Sequence, residues 1–224
     1  MSNMSHSNLV STQPPSLADM VLPDNVRCFQ KEIPHTSTPV IHERYERLEQ
    51  LRDRERPYTH FRHSADKLFE LIADDMAPNW SNREVILAPI FRAGLSLLPV
   101  FMARIEQSRL CSIGVKRNEA TAQPEPYLFK VPREYAADAK LIILEPMIAT
   151  AGTMCYSLKM LQKHGFDLKQ VEIVSIFAAL EGVQKVHGAY PEVTINVEVV
   201  DPILDDQKYI VPGCGDFGDR YFGT

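Results

Sequence analysis

The chain has 224 residues, 45% of them hydrophobic, with 24 Lys and Arg against 29 Asp and Glu for a net charge of −5. This is enough apolar material for a core and excludes a wholly disordered chain. The acidic balance leaves no domain-wide basic face for nucleic acid. No apolar run approaches the about 18 residues of a membrane-spanning helix, and the N-terminus lacks the basic and apolar segments of a leader. Cys28, Cys111, Cys155 and Cys214 form no C-x-x-C pair, which argues against a zinc site or a disulfide framework. A cytoplasmic protein acting on small molecules, with neither nucleic acid nor membrane as partner, is the expectation.

Residues 1–39 hold five prolines and many Ser, Thr and Asn. They are expected to form an N-terminal arm, disordered over about the first 20 residues and extended after that. Glu43 to Arg56 carries five acidic and five basic residues, which reads as a solvated helix face because the signs cancel. Ala65, Leu68, Phe69, Ile72 and Met76 follow the helical period and predict a helix ending before Pro78.

Beyond that point strands and helices alternate. Strands are predicted at Val85–Ala88, Cys111–Val115, Leu141–Leu144, Val171–Phe177 and Val193–Val199. Helices are predicted at Leu95–Ile105 (carrying Pro99), Thr153–His164 and around Glu181–His187. Apolar strands separated by helices imply one α/β domain over residues 40–224, a parallel sheet flanked by helices. Such a sheet binds ligands at the carboxyl ends of its strands. The polar stretch Glu119–Lys130 fits either a mobile flap or a plain hairpin. Glycine is scarce: none precedes Gly94, yet four of the ten fall in the last twelve residues, which marks special backbone geometry there.

The segment Glu145-Pro146-Met147-Ile148-Ala149-Thr150-Ala151-Gly152-Thr153 joins the Leu141–Leu144 strand to a helix. Its small and hydroxyl residues suit a phosphate, which backbone N–H groups and the helix dipole would attract. An ordinary strand–helix turn with Thr153 near the cap fits the same residues. The acidic residue followed by Ala149-Thr150-x-Gly152-Thr153 closely resembles the 5-phosphoribosyl-1-diphosphate (PRPP) loop of type I phosphoribosyltransferases. Glu145-Pro146-Met147 and the tail from Tyr209 to Thr224, containing Pro212-Gly213-Cys214-Gly215-Asp216-Phe217-Gly218-Asp219-Arg220, resemble the uracil phosphoribosyltransferase family in particular. Pro89 to Leu95, Lys116 to Glu119, Glu181 to Val183, Leu51 to Asp53 and Phe61-Arg62 extend the resemblance over about residues 42–224.

The resemblance implies the type I phosphoribosyltransferase fold with a helical N-terminal extension and a C-terminal loop, or hood, over the base. It implies transfer of phosphoribosyl from PRPP to uracil, giving UMP and diphosphate in pyrimidine salvage. Mg²⁺ is the implied cofactor, carried mainly by PRPP and waters rather than by a protein cage. Arg92, Arg117, Asp216 and the whole Glu145–Thr153 loop are implied PRPP contacts, with Arg117 and Asp216 as catalytic residues. Ile210, Gly215, Asp216 and Phe217 are the implied uracil contacts. A homodimer or homotetramer and a GTP effector are further implications. The chain departs from the family's usual pattern at Glu145 (usually Asp), Ala151 (usually Gly) and Phe217 (usually a small residue). The Phe217 ring either points away from the base, stacks on it or fills its pocket. Altered specificity, or nucleotide binding without catalysis in a regulatory role, is the alternative reading.

Overall fold

The computed structural model describes residues 20–32, 38–117 and 124–224. In chain order these form β1 (Val26–Cys28), α1 (Phe29–Glu32), α2 (Pro39–Arg52), α3 (Tyr58–Met76), β2 (Val85–Phe91), α4 (Leu98–Arg104), β3 (Arg109–Leu110), β4 (Ser112–Arg117) and β5 (Pro124–Lys130). They continue with β6 (Lys140–Leu144), β7 (Met147–Ile148), α5 (Gly152–Lys163), β8 (Val171–Ala179), α6 (Leu180–Ala189), β9 (Thr194–Asp201), β10 (Ile203–Leu204), β11 (Ile210–Val211) and α7 (Phe217–Phe222). The main sheet runs β1-β9-β8-β6-β2-β4-β5, with β3 beside β2 and β7 beside β8. All of its pairings are parallel except β4 with β5.

Strands β2, β6 and β8 are near-continuous apolar runs, because parallel strands are covered on both faces. Alternate residues supply two cores. Ile86, Ala88, Ile90, Leu141 and Ile143 pack with Met154, Leu158 and Leu161 of α5 and Val183 and Val186 of α6. Val85, Leu87, Ile142 and Leu144 pack with Leu48 and Leu51 of α2 and with the Phe61, Leu68, Phe69 and Ile72 face of α3. Among the described residues no helix is long and apolar enough to cross a membrane.

Several elements differ from expectation. Residues 20–32, assigned by sequence to the N-terminal arm, bring Met20, Val26 and Cys28 into the first core, and β1 adds an edge strand to β9. The helix expected over Leu95–Ile105 is a 3₁₀ turn at Ala93–Ser96 followed by α4, so that Pro99 falls in the first turn, where its missing N–H costs nothing. Part of the Glu119–Lys130 stretch is the hairpin partner β5, whose prolines are tolerated on an edge strand. Asn118 and Glu119 lie outside the described residues.

Candidate active site

At the carboxyl ends of β2 and β6 the chain breaks into short segments held on the sheet. The Pro146 carbonyl accepts from both Ile176 N and Phe177 N at 3.0 Å, and β7 pairs with Phe177 and Ala178. The Glu145–Thr153 loop is therefore fixed to the strands before α5 begins. Ala151 occupies the cap position of α5 at φ 56°, ψ 16°, so Ala151 makes the bend into the helix, with Thr153 in its first turn. Ala151 and Lys208 are the two non-glycine residues with positive φ among the described residues, and each lines a cavity at this edge. Left-handed alanine costs on the order of 1–2 kcal/mol, and strain of this kind concentrates at ligand sites.

The first cavity, about 250 Å³, is walled by Arg92, Val115, Glu145 and the loop from Met147 to Met154. The second, about 330 Å³, is walled by Met147, Ala149 and Thr150 on one side. On its other side stand Gln207 to Ile210, Gly215 and Asp216. The two cavities share Met147, Ala149 and Thr150, so a single elongated ligand can occupy both. The structure thus brings Glu145, Met147 to Thr153, Arg92, Ile210, Gly215 and Asp216 around the two cavities.

Glu145 sits at the strand exit, where burial, with a smaller push from the Asp216 charge, raises its carboxyl to about 8 against the opposing Met147 N–H. Asp216 is exposed, and its Oδ1 accepts from Asp219 N at 2.8 Å, capping α7. Arg92 is half exposed, forms an ion pair with Asp219 and lies 5.7 Å from the Phe222 ring centre. Arg117 ends β4.

Phe217 resolves the three alternatives left by the sequence. Its ring is 1% exposed, 5.0 Å from Phe61 in an edge-to-face pair and 6.1 Å from both Phe69 and Tyr221. It points into the core against α3 and lines neither cavity.

Gly94 falls in the Pro89–Leu95 stretch that resembles the family. In the structure its crowding is with the Leu144 carbonyl, which a Cβ would meet at 2.1 Å, so the glycine serves packing of the 3₁₀ turn on β6. Gly218, grouped by sequence with the loop glycines, lies inside α7, whereas Gly213 and Gly215 have the positive φ values of 51° and 81°. Gln207 and Lys208 were missed. Asp205 Oδ1 accepts from Gln207 N at 2.9 Å and Tyr209 N at 2.8 Å, an Asx turn for which Asp205-Asp206 was the available signal. Among the described residues no group of three or more His, Cys, Asp or Glu could hold a metal ion.

Against this geometry, the sequence pattern of the family described as "Uracil phosphoribosyltransferase" matches residues 74–224. A uracil phosphoribosyltransferase from Synechococcus elongatus is 38% identical over 143 residues, covering 64% of this chain and 66% of the relative. One from Nicotiana tabacum is 34% identical over 140 residues, covering 62% of each. The match thus spans just under two thirds of these relatives' own length. Among solved structures, the AQ2163 protein from Aquifex aeolicus superposes with a TM-score of 0.70 at 27% identity, covering 86% of this chain and 98% of that one.

Proposed function

The chain belongs to the uracil phosphoribosyltransferase family, and on that premise we propose that it transfers the 5-phosphoribosyl group of PRPP to uracil, giving UMP and diphosphate. The observation that carries this reading is the pair of adjoining cavities sharing Met147, Ala149 and Thr150, one opening on a phosphate-type loop and the other on a glycine-bent segment. In the reaction the bond from the ribose C1 to diphosphate oxygen breaks, the bond to uracil N1 forms, and the N1 proton is lost.

The residues divide the work by chemistry. Loop N–H groups and the start of α5 suit the 5′-phosphate, and Thr150 and Thr153 add hydroxyl donors. Arg92 and Arg117 would meet the diphosphate, whose charge grows as it leaves, because guanidinium is always charged and grips phosphate oxygens in pairs. Preorganised cations and orientation, more than a covalent nucleophile, then lower the barrier. Glu145, raised to about 8, retains its proton at neutral pH and offers the ribose hydroxyls an O–H as well as an acceptor oxygen. Asp216 would be the carboxylate to receive waters carried by Mg²⁺, which would supply charge neutralisation on PRPP.

Uracil presents acceptor, donor and acceptor along one edge. Fixed main-chain groups of Ile210 and Gly215, which line the second cavity, can match that pattern, with the neighbouring Phe217 main chain as a further candidate, and the Ile210 and Phe217 side chains belong to the core. Cytosine reverses two of the three, which leaves buried groups unpaired. We further infer from the family a cytoplasmic homodimer or homotetramer whose catalytic domain takes in the β1 edge strand as well as residues 40–224, with GTP as a candidate effector. The test is UMP formation from labelled uracil with PRPP and Mg²⁺. Product with uracil and none with cytosine is expected; calorimetric binding of PRPP or UMP without turnover would favour a non-catalytic regulatory role instead.

A further inference from the structure

Beneath the second cavity, two arginines grip the main chain that would read the base. Arg52, the last residue of α2, donates from Nη1 and Nη2 to Asp201 Oδ2 and Oδ1 at 2.9 and 2.8 Å, a two-pronged pair. Asp201 ends β9 and is 3% exposed. Its Oδ2 also accepts from Gly213 N at 3.0 Å, while Arg52 Nη1 donates to Gly213 O at 3.2 Å. Both main-chain groups of Gly213 are therefore held by one ion pair, buried at Asp201 and partly exposed at Arg52. The next residue is held by its carbonyl: Arg220 Nη1 donates to Cys214 O and to Leu51 O, each at 2.7 Å, and Nη2 to Asp53 O at 2.6 Å.

These ties act on a segment that needs them. Gly213 sits at φ 51°, and a Cβ there would meet Ile210 O at 2.2 Å, so the backbone folds tightly back on Ile210. Glycine reaches such conformations readily but also leaves them readily, because nothing local confines it. Confinement must come from outside the loop, and charge-assisted hydrogen bonds from a strand end and a helix end supply it. The Arg52 guanidinium also lies 5.0 Å from the ring centre of Phe177, whose backbone pairs with Met147 of the phosphate-side loop. That contact is with the Phe177 ring, whereas it is the Phe177 main chain that holds the Pro146 carbonyl.

We propose that Arg52, through its pair with Asp201, is a positioning residue for the base: it fixes Gly213 and so sets the main-chain groups of Ile210 and Gly215 that read uracil. This rests on the functional reading above, in which that segment binds the base. A purely structural pair would lower stability and disturb both substrates alike. A positioning pair separates them, since the phosphate-side loop is anchored independently by the Pro146 carbonyl on β8.

The test is steady-state kinetics on Arg52→Lys, which retains the charge against Asp201 and loses the fork reaching Gly213. The KM for uracil is expected to rise about tenfold, with the KM for PRPP and kcat within about twofold of wild type. An unchanged uracil KM, or a parallel loss in both KM values and kcat, overturns the proposal. If Arg52→Lys folds poorly, Asp201→Asn, which keeps an acceptor for Gly213 N–H, is expected to give a smaller rise confined to uracil. Amide hydrogen exchange runs alongside: faster exchange in residues 209–216 with residues 145–153 unchanged supports the clamp, and no difference overturns it. Wild-type protein that forms no UMP sinks the functional reading alone, and the exchange result then still decides the clamp.

Discussion

Replacing Phe217 with alanine should weaken the fold while leaving base binding in place. The ring is 1% exposed and packs against Phe61 at 5.0 Å and against Phe69 and Tyr221 at 6.1 Å. Truncating a fully buried phenylalanine costs about 3–5 kcal/mol, part of it from the lost ring pairs. For a domain of this size about 1 kcal/mol shifts the melting temperature by about 2–4 °C, so a fall of about 6–20 °C is expected. The uracil KM should move by no more than about threefold, because the ring lines neither cavity. Phe217→Leu, retaining most of the volume, should show the same division at lower cost. Calorimetric melting and steady-state kinetics on both variants decide the matter. A melting temperature within about 2 °C of wild type with a tenfold rise in uracil KM would mean that the ring stacks on the base.

Asp219→Asn releases Arg92 from an exposed ion pair. Such pairs are worth up to about 1 kcal/mol, so PRPP should bind up to about fivefold more tightly by calorimetry; weaker binding would show that Asp219 itself serves the ligand. Ala151→Gly relieves a left-handed alanine at φ 56°. Set against the freer unfolded chain, the net gain is up to about 1 kcal/mol in urea unfolding, and a loss would refute the strain argument. Glu145 is raised in the fold to about 8 from 4.5. Its contribution is therefore full below about pH 4.5 and is lost as pH climbs through 8. Glu145→Gln should flatten that part of the stability profile, by on the order of 1–3 kcal/mol between pH 5 and 8. Identical slopes for wild type and variant would contradict it.

The elements legible in the sequence are those with long uninterrupted signals. The Leu141–Leu144 run is apolar throughout because both faces of β6 are covered, and the buried face of α3 shows in the spacing of Ala65, Leu68, Phe69 and Ile72. Strand β1 escaped because three residues, one of them the exposed Arg27, inside a proline- and serine-rich segment carry no period; pairing with β9 makes them a strand. Helix α7 is six residues long, contains Gly218, and depends on the Asp216 cap and on packing against α3. At the candidate site, the loop and the tail were legible because each is a run of residues contiguous in sequence. The Phe217 orientation was not, since Phe61 and Phe69 lie on a distant helix. Nor was the Arg52–Asp201 pair, whose members stand 149 residues apart.

The central claim is that one nucleotide spans both cavities, with its phosphate on the Glu145–Thr153 loop and its base read by main chain. A crystal structure of the protein with UMP tests it most directly. The account predicts the 5′-phosphate against the N–H groups of Thr150 to Thr153 and the uracil edge on Ile210, Gly215 and Phe217 main chain, with the Phe217 ring still packed on Phe61. UMP bound elsewhere, or a base stacked on a Phe217 ring that has left the core, would contradict it.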